Sequence, residues 1–228
     1  MKGEFLLGPG IHEIKILENS NIFLFDIVDG SKTGFFLDKR LHRQLIGRYA
    51  ANKTVLNIFA YTGGFSIYAA AAGATQVTSV DISTQAIAVS EKNWLRNQLP
   101  EKMHQAVAMD AFLFAENAKQ EKLRWDLVVV DPPSFIPSEK TQKQGREAYL
   151  RIFKLATALV KERGMIAFAS CSAHLSSDDF LEICLEALGS QKRRATNITF
   201  SGQPTDHPYP LAAPEMRYLK FLFLQLSN

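Results

Sequence analysis

The sequence predicts a doubly wound α/β fold on a mostly parallel, seven-stranded sheet, and three observations carry that prediction. From about residue 54 onward, short apolar runs alternate with helical patterns, an order that puts helices on both faces of a parallel sheet. Trp125 to Val130, W-D-L-V-V-V, is continuous and β-branched, like a strand buried on both faces. Thr54 to Asp81 reads as a complete βαβ unit: a strand over Val55–Phe59, a turn with Gly63 and Gly64, an alanine-rich helix, and a strand ending on Asp81.

Taken in order, residues 1–12 carry Gly3, Gly8, Pro9 and Gly10 and read as an irregular arm. I-H-E-I-K-I-L and N-I-F-L-F-D-I-V form a hairpin with its turn near Asn19, too small to bury a core alone. A turn from Asp29 leads into a helix starting near Asp38. The expected organisation is therefore an arm and hairpin over 1–40, packed on a main domain over 41–228. After Asp81, Ser83 caps a helix, H-Q-A-V-A-M is a strand ending at Asp110, and another helix runs to about Gln120. Beyond Asp131 a linker with Pro137, Lys140, Lys143 and Arg146 precedes a helix over Tyr149–Lys161, with Gly164 at its end. M-I-A-F-A-S is the next strand. A helix over about Ser177–Leu188 and two strands, near Ala195–Phe200 and Arg217–Leu226, close the chain as an antiparallel edge.

Composition narrows the class. With 46% apolar and 21% charged residues in 228, the chain is an ordinary globular protein. A net charge of +3 permits nucleic-acid binding without demanding it. Cys171 and Cys184 form neither a disulfide framework nor a zinc pattern, so no metal is expected. No apolar run has the length of a signal peptide or a membrane span, and the expected location is cytoplasmic.

In open α/β sheets ligands bind outside the carboxyl ends of the strands. Those ends carry Tyr61, Thr62, Gly63, Gly64 and Phe65; Asp81; Asp110; Asp131, Pro132, Pro133, Ser134 and Phe135; and Ser170 to His174. Two adjacent glycines before a helix allow close backbone approach to a ligand, and Asp81 lies where a carboxylate hydrogen-bonds a ribose. The dinucleotide fingerprint G-x-G-x-x-G is absent. S-adenosylmethionine, which has a ribose and no pyrophosphate, needs the ribose carboxylate and the close backbone only. Asp110 reads equally as an adenine-amino contact or a helix cap. In D-P-P-S-F, two prolines leave carbonyl oxygens facing the site, Asp131 can bind a nucleobase edge, and Phe135 can stack on a base. Cys171 reads either as a small strand-closing residue or as a nucleophile whose thiol is lowered by His174 and the next helix N-terminus. Cys184 reads as core. Lys140, Lys143, Arg146, Lys192, Arg193 and Arg194 are candidate phosphate contacts or a solvated face; His207 reads as a site-lining residue or, preferably, a turn residue.

Six segments resemble one family: S-K-T-G-F-F-L-D-K-R, N-I-F-A-Y-T-G-G-F-S, S-V-D-I-S, D-P-P-S-F, S-C-S-A-H-L and T-D-H-P-Y-P-L-A-A-P-E-M-R-Y-L-K. In this order they are similar to class I, Rossmann-like S-adenosylmethionine-dependent RNA methyltransferases, and within these to the bacterial 23S ribosomal RNA cytosine-C5 methyltransferases. The resemblance implies that Asp38 and Arg40 lie near the methionine end of the cofactor, that Cys171 is the nucleophile, and that the substrate is ribosomal RNA. Family members carry a PUA domain and a further small domain ahead of the catalytic part. This sequence begins about where that part begins, so a second copy or another chain is expected to supply RNA recognition. Where P-E-G/T-x-Y-L-K is expected, P-E-M-R-Y-L-K stands. Rival readings are base-amino methylation, guanine-N7 methylation, and a non-catalytic RNA-binding or dimerisation module.

Overall fold

A computed structural model describes residues 13–26, 34–213 and 216–227. The expected arm over 1–12, the turn from Asp29 to Thr33, and Pro214–Glu215 of the last motif lie outside the described residues. The elements are β1 (Glu13–Glu18), β2 (Asn21–Asp26), α1 (Arg40–Ala50), β3 (Thr54–Ile58), α2 (Gly64–Ala71), β4 (Gln76–Asp81), α3 (Thr84–Arg96), β5 (His104–Ala108), α4 (Ala111–Gln120), β6 (Trp125–Val130), α5 (Gln142–Ala158), β7 (Val160–Ser170), α6 (Ser177–Ser190), β8 (Arg194–Ser201) and β9 (Lys220–Ser227).

Seven strands form one sheet in the order β5-β4-β3-β6-β7-β9-β8. The β5-to-β7 run is parallel, and β9 lies antiparallel between β7 and β8. The antiparallel strand is thus inserted next to the edge, with β8 outermost. Alternation along the central strands divides the interior in two. Leu56, Ile58, Val128 and Val130 face a core with α4, α5 and α6 residues such as Ala115, Phe153 and Phe180. Val55, Leu127 and Val129 face the other, with Ile46 of α1, Ile67 of α2 and Trp94 of α3. Period-2 burial on both faces explains why these strands read as unbroken apolar runs.

The hairpin turns at Asn19 and Ser20, both with positive φ (48° and 71°), as a tight two-residue connection requires. Its β2 edge is satisfied by α3. Asn93 and Asn97, one helical turn apart, accept from the N–H groups of Leu24 (2.7 Å) and Ile22 (2.8 Å) and donate to their carbonyls. Glu18 at the end of β1 is buried against Arg43 of α1. Arg43 Nε and Nη2 donate to its two oxygens at 2.8 and 2.7 Å, Nη1 donates to Phe36 O at 2.9 Å, and the guanidinium lies 4.5 Å from the Phe35 ring centre. Tyr68 of α2 also donates to Glu18, and burial followed by that carboxylate pushes its pKa up to about 12.

Expected boundaries differ at both ends of α5, at the start of β7 (Val160, not Met165) and at the start of β9 (Lys220, not Arg217). Helix α5 begins at Gln142, inside the expected linker, because Gly145 lets it pack on the D-P-P-S-F loop; a Cβ there would meet Phe135 O at 2.4 Å. The helix ends at Ala158, short of Gly164, because Leu159 and Val160 are buried and β7 has already begun. Gly164 sits where the β6–β7 register shifts, and its Cβ would meet Asp126 O at 2.9 Å. Among the described residues no helix is long and apolar enough to cross a membrane.

Two expectations for stability follow. Arg43→Leu leaves Glu18 as an unpaired buried carboxylate and should cost about 3–5 kcal/mol in urea unfolding; a loss below 1 kcal/mol would make the pair dispensable. His42 is buried and stacked 4.1 Å from the Phe221 ring. Burial first, then the charges of Lys39 and Arg43, lower its pKa from 6.5 to about 3. The unfolded chain takes this proton near pH 6.5 and the folded chain does not, so stability is full above that pH and falls as pH drops toward 3. His104, lowered by burial to about 4, acts in the same direction. Unfolding free energy should decline from pH 6.5 to 5, a window above the main carboxylate titrations, and less steeply in His42→Phe. Equal slopes would contradict the assignment.

A candidate active site at the carboxyl-end rim

The carboxyl ends of β3, β4, β5, β6 and β7 all reach the same edge of the sheet. After β3 the chain turns through three left-handed residues in five: Phe59 (φ 62°), Tyr61 (φ 49°) and Gly63 (φ 83°). Only the last is a glycine, so neighbouring bonds must hold the other two. Ala60 N–H donates to Val80 O and Tyr61 N–H to Asp81 Oδ2 at 2.8 Å, which ties the loop to the end of β4. A Cβ at Gly63 would meet Ser90 Oγ at 2.3 Å, and one at Gly64 would meet Arg43 Cδ at 3.0 Å. No side chain caps α2, so its first-turn N–H groups face the rim.

Asp81 Oδ1 accepts from Ser83 N–H at 2.9 Å, leaving further lone pairs on both carboxylate oxygens. Asp110 caps α4, with Oδ1 accepting from Phe112 and Leu113 N–H at 3.0 Å each. The helix cap of its two sequence readings is therefore present, and both of its bonds use Oδ1. Phe65 is buried and stacks toward Phe221, which leaves its backbone and not its ring at the rim.

The segment before α1 crosses over this edge. Asp38 is buried, with Oδ2 accepting from Tyr218 OH at 2.8 Å and Oδ1 without a hydrogen-bond partner among the described residues. Lys39, 4% exposed, forms an ion pair with Asp131 at the end of β6. Arg40 pairs with Asp206 at 2.6 Å, bringing the T-D-H-P-Y-P loop alongside; His207 sits in that turn, its ring beside Asp206.

Cys171 follows β7 between Ser170 and Ser172, both fully buried. Its thiol is half-buried, with Sγ 4.0 Å from Pro132 O, so the D-P-P and S-C-S loops meet. Ser172 ties them together: its Oγ is 2.8 Å from both Ser134 Oγ and Tyr149 OH, and it accepts from Ile136 N–H. Pro132 is buried and Pro133 exposed. Phe135 is half-buried in an aromatic cluster with Phe59, Phe112 and Tyr149 (ring centres 6.1, 6.2 and 4.9 Å), so much of the expected stacking surface is taken by the core.

His174 is exposed. The α6 N-terminus is capped by Ser176 and carries Asp178 and Asp179 in its first turn, so it is not the electropositive neighbour expected for Cys171. Lys220 is buried against the turn that follows Cys171, its Nζ donating to Ser172 O. Burial pushes the Lys220 pKa down to about 8, and a charge on Cys171 opposes the shift. Cys184 is core, its thiol pushed up by burial. Lys143 and Arg146 line a groove of about 270 Å³ with Gln142, Leu175 and Asp179, and Arg146 also pairs with Glu182. Arg193 donates to Val160 O and Lys161 O at the start of β7, which puts the 192–194 charges at the end opposite the rim. Lys39, Lys220, Tyr149 and Tyr218 were not singled out from sequence as site residues. Lysine side chains are almost never buried, and nothing local marks the two that are buried at this rim.

The sequence matches the family of S-adenosylmethionine-dependent methyltransferases over residues 2–201. The chain belongs to that family. It is 34% identical over 226 residues to a ribosomal RNA large subunit methyltransferase of Deinococcus radiodurans, covering 99% of this chain and 55% of the relative. It is 35% identical over 212 residues to ribosomal RNA large subunit methyltransferase I of Aeromonas salmonicida, covering 93% and 54%. A crystal structure of a candidate methyltransferase complexed with SAH matches with TM-score 0.86 and 30% identity, over 96% of this chain and 58% of that one. The chain spans about half the length of the curated relatives it matches.

The rim fits the family's cofactor. A methyltransferase loop needs an uncapped helix start, a glycine floor and a ribose acceptor, and α2, Gly63–Gly64 and Asp81 supply them. Thr62 Oγ1 and Asp38 Oδ1 are buried and lack partners among the described residues, so polar groups remain for a ligand. Asp81→Ala should weaken S-adenosylmethionine binding by about 1–3 kcal/mol in isothermal titration. Unchanged affinity would remove Asp81 from the cofactor site.

Proposed function

We propose that the protein methylates C5 of a cytosine in RNA, with 23S ribosomal RNA as the substrate, and that Cys171 is the nucleophile. One observation carries the reading: the half-buried Cys171 thiol lies 4.0 Å from Pro132 O, on the rim that also carries Asp131 and the glycine loop. The names of the relatives, which are ribosomal RNA large subunit methyltransferases, support RNA as the substrate.

C5 of cytosine is a poor nucleophile. Cys171 thiolate adds to C6, forming an S–C6 bond and moving the ring's double-bond electrons toward C5. Asp131, fixed by Lys39, accepts a hydrogen bond from the cytosine amino edge and fixes the ring over the thiol. When bound, S-adenosylmethionine would supply an electrophilic methyl group that bonds to C5 as the S–CH3 bond breaks, leaving a neutral thioether. A base then takes the C5 proton, the C5–C6 double bond re-forms, and Cys171 leaves as thiolate. Asp81, Gly63, Gly64, Thr62 and the backbone of Tyr61 and Phe65 hold the cofactor, with Asp38 and Arg40 toward its methionine end. Asp110, whose cap uses Oδ1 alone, would meet its adenine amino group through the other carboxylate oxygen. Pro132, Pro133, Phe135 and His174 border the base.

RNA carrying 5-fluorocytidine blocks proton removal at C5 and should trap the S–C6 adduct. A protein–RNA band that survives denaturing electrophoresis should form with the wild type and with Cys184→Ala, and be absent with Cys171→Ala. Wild-type cytosine-C5 methylation by Cys171→Ala would refute the nucleophile. Methylation of a purine or of an exocyclic amine instead would refute the substrate atom.

A further inference from the structure

Lys220 opens β9 opposite Ser170 and is 3% exposed. Its Nζ donates to Ser172 O and Leu175 O at 2.6 Å each and to Tyr218 O at 3.0 Å. Three acceptors match the three N–H bonds of an ammonium; a neutral amine has two and would turn a lone pair toward a carbonyl. Yet no carboxylate among the described residues lies within ion-pair distance of this buried cation. A buried charge without a counter-charge is costly and is retained where something offsets it.

We propose that Lys220 is a positioning residue for Cys171: its ammonium holds the 172–175 turn through backbone carbonyls and places a fixed positive charge behind the sulfur, which favours the thiolate. This rests on the reading of Cys171 as the nucleophile. Two of the carbonyls Lys220 grips belong to the turn that follows Cys171, so the cation sits where the thiolate is the missing counter-charge. The surrounding charges agree. Burial first pushes Tyr149 of α5 up, and burial followed by Asp38 pushes Tyr218 of the last segment up; a charge on Cys171 adds to both and opposes the burial that lowers Lys220. Arg217 opposes protonation of Lys220, and Asp131 on the β6 side is taken by Lys39. The serine bonds keep the sulfur in place: Ser172 N–H donates to Ser170 Oγ, which donates to Tyr149 OH at 3.0 Å.

The test is the pH dependence of iodoacetamide alkylation at Cys171 in the full chain, followed by peptide mass spectrometry, which separates it from Cys184. In Lys220→Met the midpoint of the rate–pH curve should rise by about one pH unit, a roughly tenfold loss of rate at pH 7. An unchanged midpoint in a folded Lys220→Met protein overturns the proposal. Should that variant not fold, the reciprocal measurement decides: Lys220 is titrated by ¹³C NMR of its ε-carbon in wild type and in Cys171→Ala. The Lys220 midpoint should fall when the thiolate is removed, and equal midpoints overturn the proposal. Neither measurement involves RNA or methyl transfer. The cytosine-C5 reading can therefore fail in its own assay while the Lys220–Cys171 coupling stands, and the reverse.

Discussion

The buried Arg43 guanidinium is the interaction that the rest of the structure leans on. It is bound to both oxygens of Glu18 at the end of the hairpin, to Phe36 O in the segment ahead of α1, and to the Phe35 ring, and its stem packs against Gly64 at the start of α2. Its planar fork meets the carboxylate in two bonds and the carbonyl in a third, a geometry lysine cannot reproduce. Through it the hairpin, the 34–39 segment and the glycine loop take fixed places relative to one another. Without that placement Asp38 and Lys39 would not lie over the carboxyl ends of the sheet.

The rim shows the same logic on a smaller scale. Two lysines are removed from water there, Lys39 against a carboxylate and Lys220 against three carbonyls. Each joins a segment distant in sequence to a loop that follows a central strand. Desolvation makes such groups costly when unpaired and rigid when paired. The serine bonds at Ser172 add short, low-entropy links between the D-P-P-S-F and S-C-S loops. The result is a thiol, a carboxylate and a carbonyl held at one edge of the sheet by largely buried polar contacts.

Much of this was legible in sequence where the signal is local. Gly63–Gly64 ahead of an alanine-rich helix, Asp81 at a strand end, Asp131-Pro132-Pro133 and Cys171 were readable because strand ends in a parallel sheet share one rim. Asp110 stayed undecided between cap and ligand contact because both use the same carboxylate at a helix start; the cap is present, through Oδ1. Phe135 looked free to stack because sequence does not reveal that Phe59, Phe112 and Tyr149 converge on it. His174 looked like the partner of Cys171 because it is near in sequence, while Lys220, 49 positions beyond Cys171, is the one that reaches the turn.

The sequence by itself determined the alternation of elements, the parallel sheet and which residues stand at its strand ends. These depend on period-2 and helical burial patterns and on glycine and proline geometry, which act over a few residues. Only the tertiary structure decided where β9 inserts, that α5 starts at Gln142 and stops at Ala158, and which cations are buried. Those outcomes depend on contacts between segments far apart in the chain. Pairing β9 between β7 and β8 is what carries Lys220 to the turn that follows Cys171, and no local pattern around either residue encodes that meeting.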